Sequence, residues 1–327
     1  MARPILSELR HMAKLEQEAR VALWAGSSPV AKKSEFKLGI QRLEALGVPY
    51  VIAPNTARNF HRPMSRDLSF LAGQDSEKLS DLKWIFENPE LRHIFAVRGG
   101  YGCLRLLPEL DRMLDKTKMR ALEPKYLWGF SDLTVLQNYL FLKLGWPWFH
   151  SPMLSSPAFQ SPTASEKRDY LPYFCESWPS FSRDLVHFAG PRFGKTKRGL
   201  PLLGGNLINW RSLLVSKHCP PVPREFVLVL EDIDETPARR LDRALQELDQ
   251  TEAMQHCNLV LLGYFTNCPG YKGIVKSWAE QSGRSVYSGL PIGHERPNGP
   301  LPMGQQIDII KKSDRKLSLQ FPKTKLL

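Results

Sequence analysis

The sequence predicts an α/β protein in two unequal parts. An N-terminal three-layer α/β domain is built on a parallel sheet, and a smaller C-terminal mixed α/β domain is rich in strands. Three observations predict this. Between residues 21 and 153 short apolar runs alternate with amphipathic stretches, the rhythm of a parallel sheet with helices on both faces. From about 155 to 200 that rhythm dissolves into Ser, Pro and charge, as in "SSPAFQSPTASEKRDYLPYFCESWPS", which reads as an interdomain connection. Beyond it, strand-like runs crowd together. A chain of 327 residues exceeds what one core usually supports, and the expected parts are 1–165, 166–192 (the connection) and 193–327.

Taken in order, "VALWAG" is a strand closed by Gly26 and the "SSP" turn. "SEFKLGIQRLEALG" puts Phe36, Ile40 and Leu43 on one helical face and stops at Gly47. "VPYVIA" is the next strand, and "DSEKLSDLKWIFENP" a helix with Leu79, Leu82 and Phe86 on one face and capping residues at its start. "HIFAV" runs into "RGGYG", "YLWGF" runs into "SDLTVLQNYLFLKLG", and "PWFHSPM" is a further strand and turn. "LPLLGGNL" opens the second half. After it come the strand "EFVLVLED", the helix "ARRLDRALQELDQ", the strands "NLVLLGYF" and "SVYSGLPIG", and the hairpin "QIDIIKKSDRKLSLQF".

Bulk properties exclude several classes. No apolar run approaches the ~20 residues that a membrane-spanning helix needs, and the N-terminal segment lacks the apolar centre of a signal peptide. The expectation is a cytoplasmic protein with no membrane partner. The five cysteines, Cys103, Cys175, Cys219, Cys257 and Cys268, are widely spaced without a C-x-x-C pair, so reduced, mostly buried thiols are expected rather than disulfides or a zinc site. The net charge of +12 invites a nucleic-acid reading, a basic binding module without catalysis. Against it, Lys and Arg are spread along the chain and cluster only briefly, at "KTKRG" and in the C-terminal hairpin. A solvated basic surface that attracts acidic small substrates is expected instead.

Three strand ends carry chemistry: Ser131 after "YLWGF", Glu231 after "FVLVL" and His294 after "LPIG". A polar residue directly after an apolar strand lies at the sheet edge, where ligands of parallel sheets bind. Together the three are a nucleophile, an orienting acid and a base. A serine hydroxyl is a poor nucleophile until a neutral imidazole takes its proton, and a carboxylate fixes that imidazole's tautomer. Each has a plainer alternative. Ser131 or Asp132 can be a helix cap, Glu231 can belong to the solvated acidic turn "EDIDE", and His294 can be a loop residue. His150, in "FHSPM", is a rival base among eight histidines. "RGGYG" offers backbone N–H groups for a phosphate or an oxyanion, but lacks the spacing of dinucleotide and P-loop motifs.

In their order along the chain, "FLAGQDSEKLSDLKWIFENPELRHIFAVRGGYGCLRLLPELD", "LWGFSDLTVL", "LLGGNL", "LVLEDIDETPARRLDRAL" and "GLPIGHERPNGPLPMG" resemble the LD-carboxypeptidase family of serine peptidases. That family also contains the microcin C self-immunity peptidases. The resemblance implies Ser131 as nucleophile, Glu231 as orienting acid with Glu235 close enough to exchange with it, and His294 as base. It implies an oxyanion hole from the N–H groups of Gly100 and Asp132, with Arg98, Tyr101 and Arg296 flanking the motifs as substrate-binding candidates. It further implies release of D-alanine from murein tetrapeptides through an acyl-enzyme, in a homodimer, with no metal or organic cofactor. A microcin-type enzyme would instead cut an aminoacyl-nucleotide amide and need an aromatic surface, for which Trp178, Phe181 and Phe193 are candidates. The chain departs from the family at Ser151 and Glu295, where members commonly carry glycine, and lacks the Gly-Thr often found after "GGNL".

Overall fold

A computed structural model describes residues 20–114, 122–162, 177–178, 180–322 and 324–325. The first half follows the predicted alternation: β1 (Val21–Trp24), α1 (Lys33–Ala45), β2 (Tyr50–Ile52), α2 (Asp75–Glu87), β3 (His93–Ala96), α3 (Cys103–Leu114), β4 (Tyr126–Gly129), α4 (Leu133–Leu144) and β5 (Trp148–His150). These five strands are parallel in the order β2-β1-β3-β4-β5. The order reverses between β1 and β3, and a crevice opens beyond the strand ends at such a point. The loops leaving β1 and β3 are "AGSSP" and "RGGYG".

The second half is β6 (Phe181–Ala189), β7 (Lys197–Asn206), α5 (Leu207–Leu214), β8 (Phe226–Ile233), α6 (Arg239–Asp249), β9 (Cys257–Thr266), α7 (Tyr271–Ser282), β10 (Val286–Ser288), β11 (Leu301–Met303), β12 (Gln306–Lys311) and β13 (Lys316–Phe321). Seven of these strands close a barrel, in the order β9-β10-β6-β13-β12-β7-β8. The exception is β11, which crosses back to pair antiparallel with β5 as the sixth strand of the first sheet.

Two boundary expectations are corrected. Residues 181–189, assigned by composition to the connection, form a barrel strand paired with β13 and β10. Leu185 and Ala189 of that strand are buried, while Arg183 and His187 share their alternation and hide the apolar signal. Residues 301–303, placed in the second domain, belong to the first sheet because Leu301 to Met303 pair with His150 to Trp148. Most of the remaining connection lies outside the described residues.

The two halves share one core. Leu133, Leu136, Leu203, Leu207 and Trp210 lie in a single buried cluster that runs across the interface. Consecutive glycines in "LLGGNL" allow the close approach. A Cβ on Gly205 would fall 2.8 Å from Thr134 Oγ1, and one on Gly204 would fall 2.3 Å from the Val229 carbonyl. Asn138 then bonds Gly204 twice, its amide donating to the carbonyl at 2.9 Å and its Oδ1 accepting from the N–H at 3.0 Å. Helix α4 is therefore held between the sheet and the barrel, which explains why Leu133 through Leu140 are all buried.

Candidate active site

The turn after β4 brings Ser131 to the sheet edge at φ +63. An L-residue pays about 1 kcal/mol or more for that conformation, and surrounding structure must impose it. Gly129 helps: at φ +157, a Cβ there would lie 2.9 Å from Leu133 Cγ. No side chain caps α4. Instead Asp132 turns back, and its Oδ2 accepts from Ser27 Oγ at 2.5 Å and from the Cys103 N–H at 3.0 Å. The cap reading is thus replaced by a tie between the turn after β4 and the loops after β1 and β3.

"RGGYG" lies against the same serine. A Cβ on Gly99 would come 3.3 Å from Ser131 Cβ. Ser28 pins the loop, donating its N–H to the Gly99 carbonyl at 3.2 Å and accepting from the Tyr101 N–H at 3.2 Å. Gly100 sits at φ +117, and a Cβ there would collide with Ser28 Oγ at 2.2 Å. Among the described residues neither the Gly100 nor the Asp132 backbone N–H has an acceptor, so both are available to a developing oxyanion.

Behind the loop Lys78 is buried, with its Nζ 3.7 Å from Asp75 Oδ1 and without a hydrogen-bond partner among the described residues. Burial lowers its pKa against the pull of Asp75. The Cys103 thiol is pushed well up, first by burial and then by the Asp132 carboxylate, so it is inert. Ser27, Ser28 and Lys78 were missed in the sequence. Only "SSP" at a strand end hinted at the serines.

On the other side, β8 carries Glu231 fully buried within the strand, two residues before its end at Ile233, rather than directly after it as the sequence predicts. The β8–β9 register shifts between Leu262 and Phe265, opposite this glutamate, an irregularity of the kind that re-aims side chains at functional sites. His294 Nδ1 donates to Glu231 Oε2 at 2.8 Å, a tautomer that leaves the Nε2 lone pair for a base. Gly293, at φ +122, permits the approach, since a Cβ there would lie 3.1 Å from Glu231 Oε2. Burial alone would raise the Glu231 pKa, but the close approach of the His150 and His294 imidazoles, the latter in a hydrogen bond, outweighs it and brings it to about 2. Burial lowers His294, and the bond and charge of Glu231 outweigh that, so its pKa is raised.

The two sides meet at Phe130, whose ring centroid lies 4.7 Å from that of His294 and whose chain neighbour is Ser131. No hydrogen bond joins the Ser131 hydroxyl to His294 in this structure. Such contacts commonly form only with substrate bound. Among the described residues, no three His, Cys, Asp or Glu side chains form a group that could hold a metal ion.

The remaining candidates sort cleanly. Glu235 faces Arg240, at 3.3 Å, and not His294. His150 is fully buried and meets Glu231 from its other oxygen, 3.8 Å away, so it is not an exposed base. Arg98 donates to the Pro29 carbonyl and Arg296 to that of Ser161 at 2.7 Å. Tyr101 is exposed, edge-on to Phe70 at 5.7 Å. Phe181 and Phe193 do not form a free aromatic surface: Phe181 stacks on Phe321 at 4.3 Å and Phe193 lies in the barrel core. Barrel packing claims both. The side chain of Trp178, and Cys175, lie outside the described residues.

Known proteins share this arrangement of domains. Residues 21–151 match the LD-carboxypeptidase N-terminal domain, and residues 200–309 match the LD-carboxypeptidase C-terminal domain. The murein tetrapeptide carboxypeptidase of Pseudomonas aeruginosa is 30% identical over 304 residues, covering 88% of this chain and 92% of that protein. The crystal structure of muramoyltetrapeptide carboxypeptidase from Oxalobacter formigenes superposes with TM-score 0.71 at 23% identity, covering 93% of this chain and 99% of that one. The microcin C7 self immunity protein MccF gives TM-score 0.74 at 19% identity, with 95% and 97% covered. The matched domains and the P. aeruginosa relative lead to one conclusion: this chain belongs to the LD-carboxypeptidase family of serine peptidases.

Proposed function

We propose that the protein releases the terminal D-alanine of murein tetrapeptides, with Ser131 as nucleophile, His294 as general base and Glu231 as the acid that orients it. The observation that carries this reading is the 2.8 Å bond between His294 and a fully buried Glu231, beside a serine held at φ +63. Ser131 Oγ attacks the carbonyl carbon between the diamino acid and D-alanine while His294 Nε2 takes its proton. The N–H groups of Gly100 and Asp132 hold the oxyanion. Collapse breaks the C–N bond, and His294 returns the proton to the departing amine. Water, deprotonated by His294, then cleaves the acyl-enzyme and restores the serine.

A substrate with several carboxylates suits a chain of net charge +12, and Arg98, Arg296 and Tyr101 are our candidates for holding it. The setting we propose is recycling of cell-wall peptides in the cytoplasm by a homodimer, without membrane, nucleic acid, metal or organic cofactor. Likeness to MccF at 19% identity concerns the fold alone, and with Phe181 and Phe193 packed in the barrel no observation favours an aminoacyl-nucleotide substrate.

Mass spectrometry of a disaccharide tetrapeptide incubated with the protein tests the reading. Loss of D-alanine is expected with the native chain and not with Ser131→Ala. Cleavage by Ser131→Ala at the native rate would remove Ser131 from the mechanism.

A further inference from the structure

Glu231 is buried with two oxygens to satisfy, and His294 accounts for one. Glu231 Oε1 has no hydrogen-bond partner among the described residues. The group that meets it is His150 Nε2, 3.8 Å away, itself buried and equally without a partner. Two complementary orphans this close are unusual, because a buried polar group left unpaired is costly. Closing the gap by about 1 Å gives an ordinary N–H to carboxylate bond.

His150 lies at a junction. It is the last residue of β5, in register with Gly129 on the nucleophile's strand and with Leu301 on the strand that follows the His294 loop. The Phe130 ring touches both imidazoles, at 5.4 Å from His150 and 4.7 Å from His294. Full burial keeps His150 from touching a substrate, so it can act only through Glu231.

We infer that His150 is a positioning residue: its Nε2–H holds the second oxygen of Glu231, so that one carboxylate is gripped by a histidine from each domain. The grip registers the sheet carrying Ser131 against the barrel carrying Glu231. It also draws charge from the carboxylate and so tempers the basicity that Glu231 confers on His294. Of the groups around His294, Glu231, Asp232 and Asp234 raise its pKa, and only Glu231 is in contact with His150.

This inference rests on the proposed triad, so its test avoids any assumption about the natural substrate. A fluorophosphonate probe phosphonylates an activated serine at a rate that follows the base. Labelling rates are measured against pH for the native chain, His150→Leu and His150→Gln, whose amide reaches the Nε2 position and keeps the donor, with melting curves for each. His150→Leu is expected to label about 10- to 100-fold more slowly, the range that loss of one charge-assisted hydrogen bond implies. Its acid limb should move to higher pH, and His150→Gln should recover most of both. If His150→Leu does not fold, His150→Asn, whose shorter amide stops short of Glu231, replaces it with the same expectation.

Folded variants that keep the native acid limb, or a Gln variant no better than the Leu one, overturn the inference and leave the triad standing. A native chain that the probe does not label, or a Ser131→Ala chain labelled equally, overturns the triad and the inference with it.

Discussion

The proposed nucleophile half and the proposed acid–base half of this site are held by different physics. Around Ser131 the backbone does most of the positioning: a positive φ at the serine, glycines at 99, 100 and 129, a tie from the Ser28 backbone to Gly99, and one bond from Ser27 to the Asp132 carboxylate. Around Glu231 charge does it, with a carboxylate fully out of water and two imidazoles against it. The difference teaches where each half is fragile. An added methyl group threatens the first, and an altered charge threatens the second.

The largest effect expected in the charged half comes from Glu231→Gln. The amide fits the space but cannot stabilise an imidazolium, and an equivalent change in a related triad costs about 10⁴-fold in kcat. Steady-state kinetics should therefore show a fall of about 10³- to 10⁴-fold with the fold retained. A loss of only a few-fold would mean that the carboxylate is structural.

Gly100→Ala breaks the other half without touching a charge. Its Cβ would enter Ser28 at 2.2 Å from Oγ and 2.6 Å from Cβ, so the loop must move and carry its N–H away. Loss of an oxyanion donor typically costs about 10²- to 10³-fold in kcat, and a drop near 10² is expected here. Unchanged turnover would place the oxyanion elsewhere.

The smallest effect separates the halves by stability. Glu231 has its pKa depressed to about 2 in the folded chain, so it contributes stability above its ordinary value near 4.5, and that contribution is lost as pH falls towards about 2. Melting temperature measured from pH 7 down to 2.5 should fall less steeply below 4.5 in Glu231→Gln than in the native chain. Gly100→Ala should keep the native slope. Asp111, also held to about 2 against burial by bonds from Lys143, Tyr139 and His218, leaves a residual slope in both variants. Equal slopes throughout would assign acid lability to groups other than Glu231.

The two halves also differ in how much of them could be read in the sequence. Ser131, Glu231 and His294 each follow an apolar run in the sequence, a local signal, as is "RGGYG", although Glu231 lies within β8 and His294 in the loop six residues beyond the end of β10. Their partners are not local. Ser27 meets Asp132 and His150 meets Glu231 across 105 and 81 residues of chain respectively, and no periodicity reports such pairs. Barrel strand β6 was hidden because its half-buried face carries Arg183 and His187. The glycine pair at 204 and 205 was visible, but its use required a facing helix to be known, since Thr134 and Asn138 are what it approaches.

The segment carrying His294 leaves the barrel at β10 and lands on the first sheet at β11, where it pairs with β5. It is a span with a footing on each bank. Arg296 and Asn298 brace its middle, one on the Ser161 carbonyl and the other on that of Gly293. Any hinge that parted the banks would first have to tear Leu301 to Met303 from Trp148 to His150. One continuous stretch of chain thus straps the proposed site from both banks.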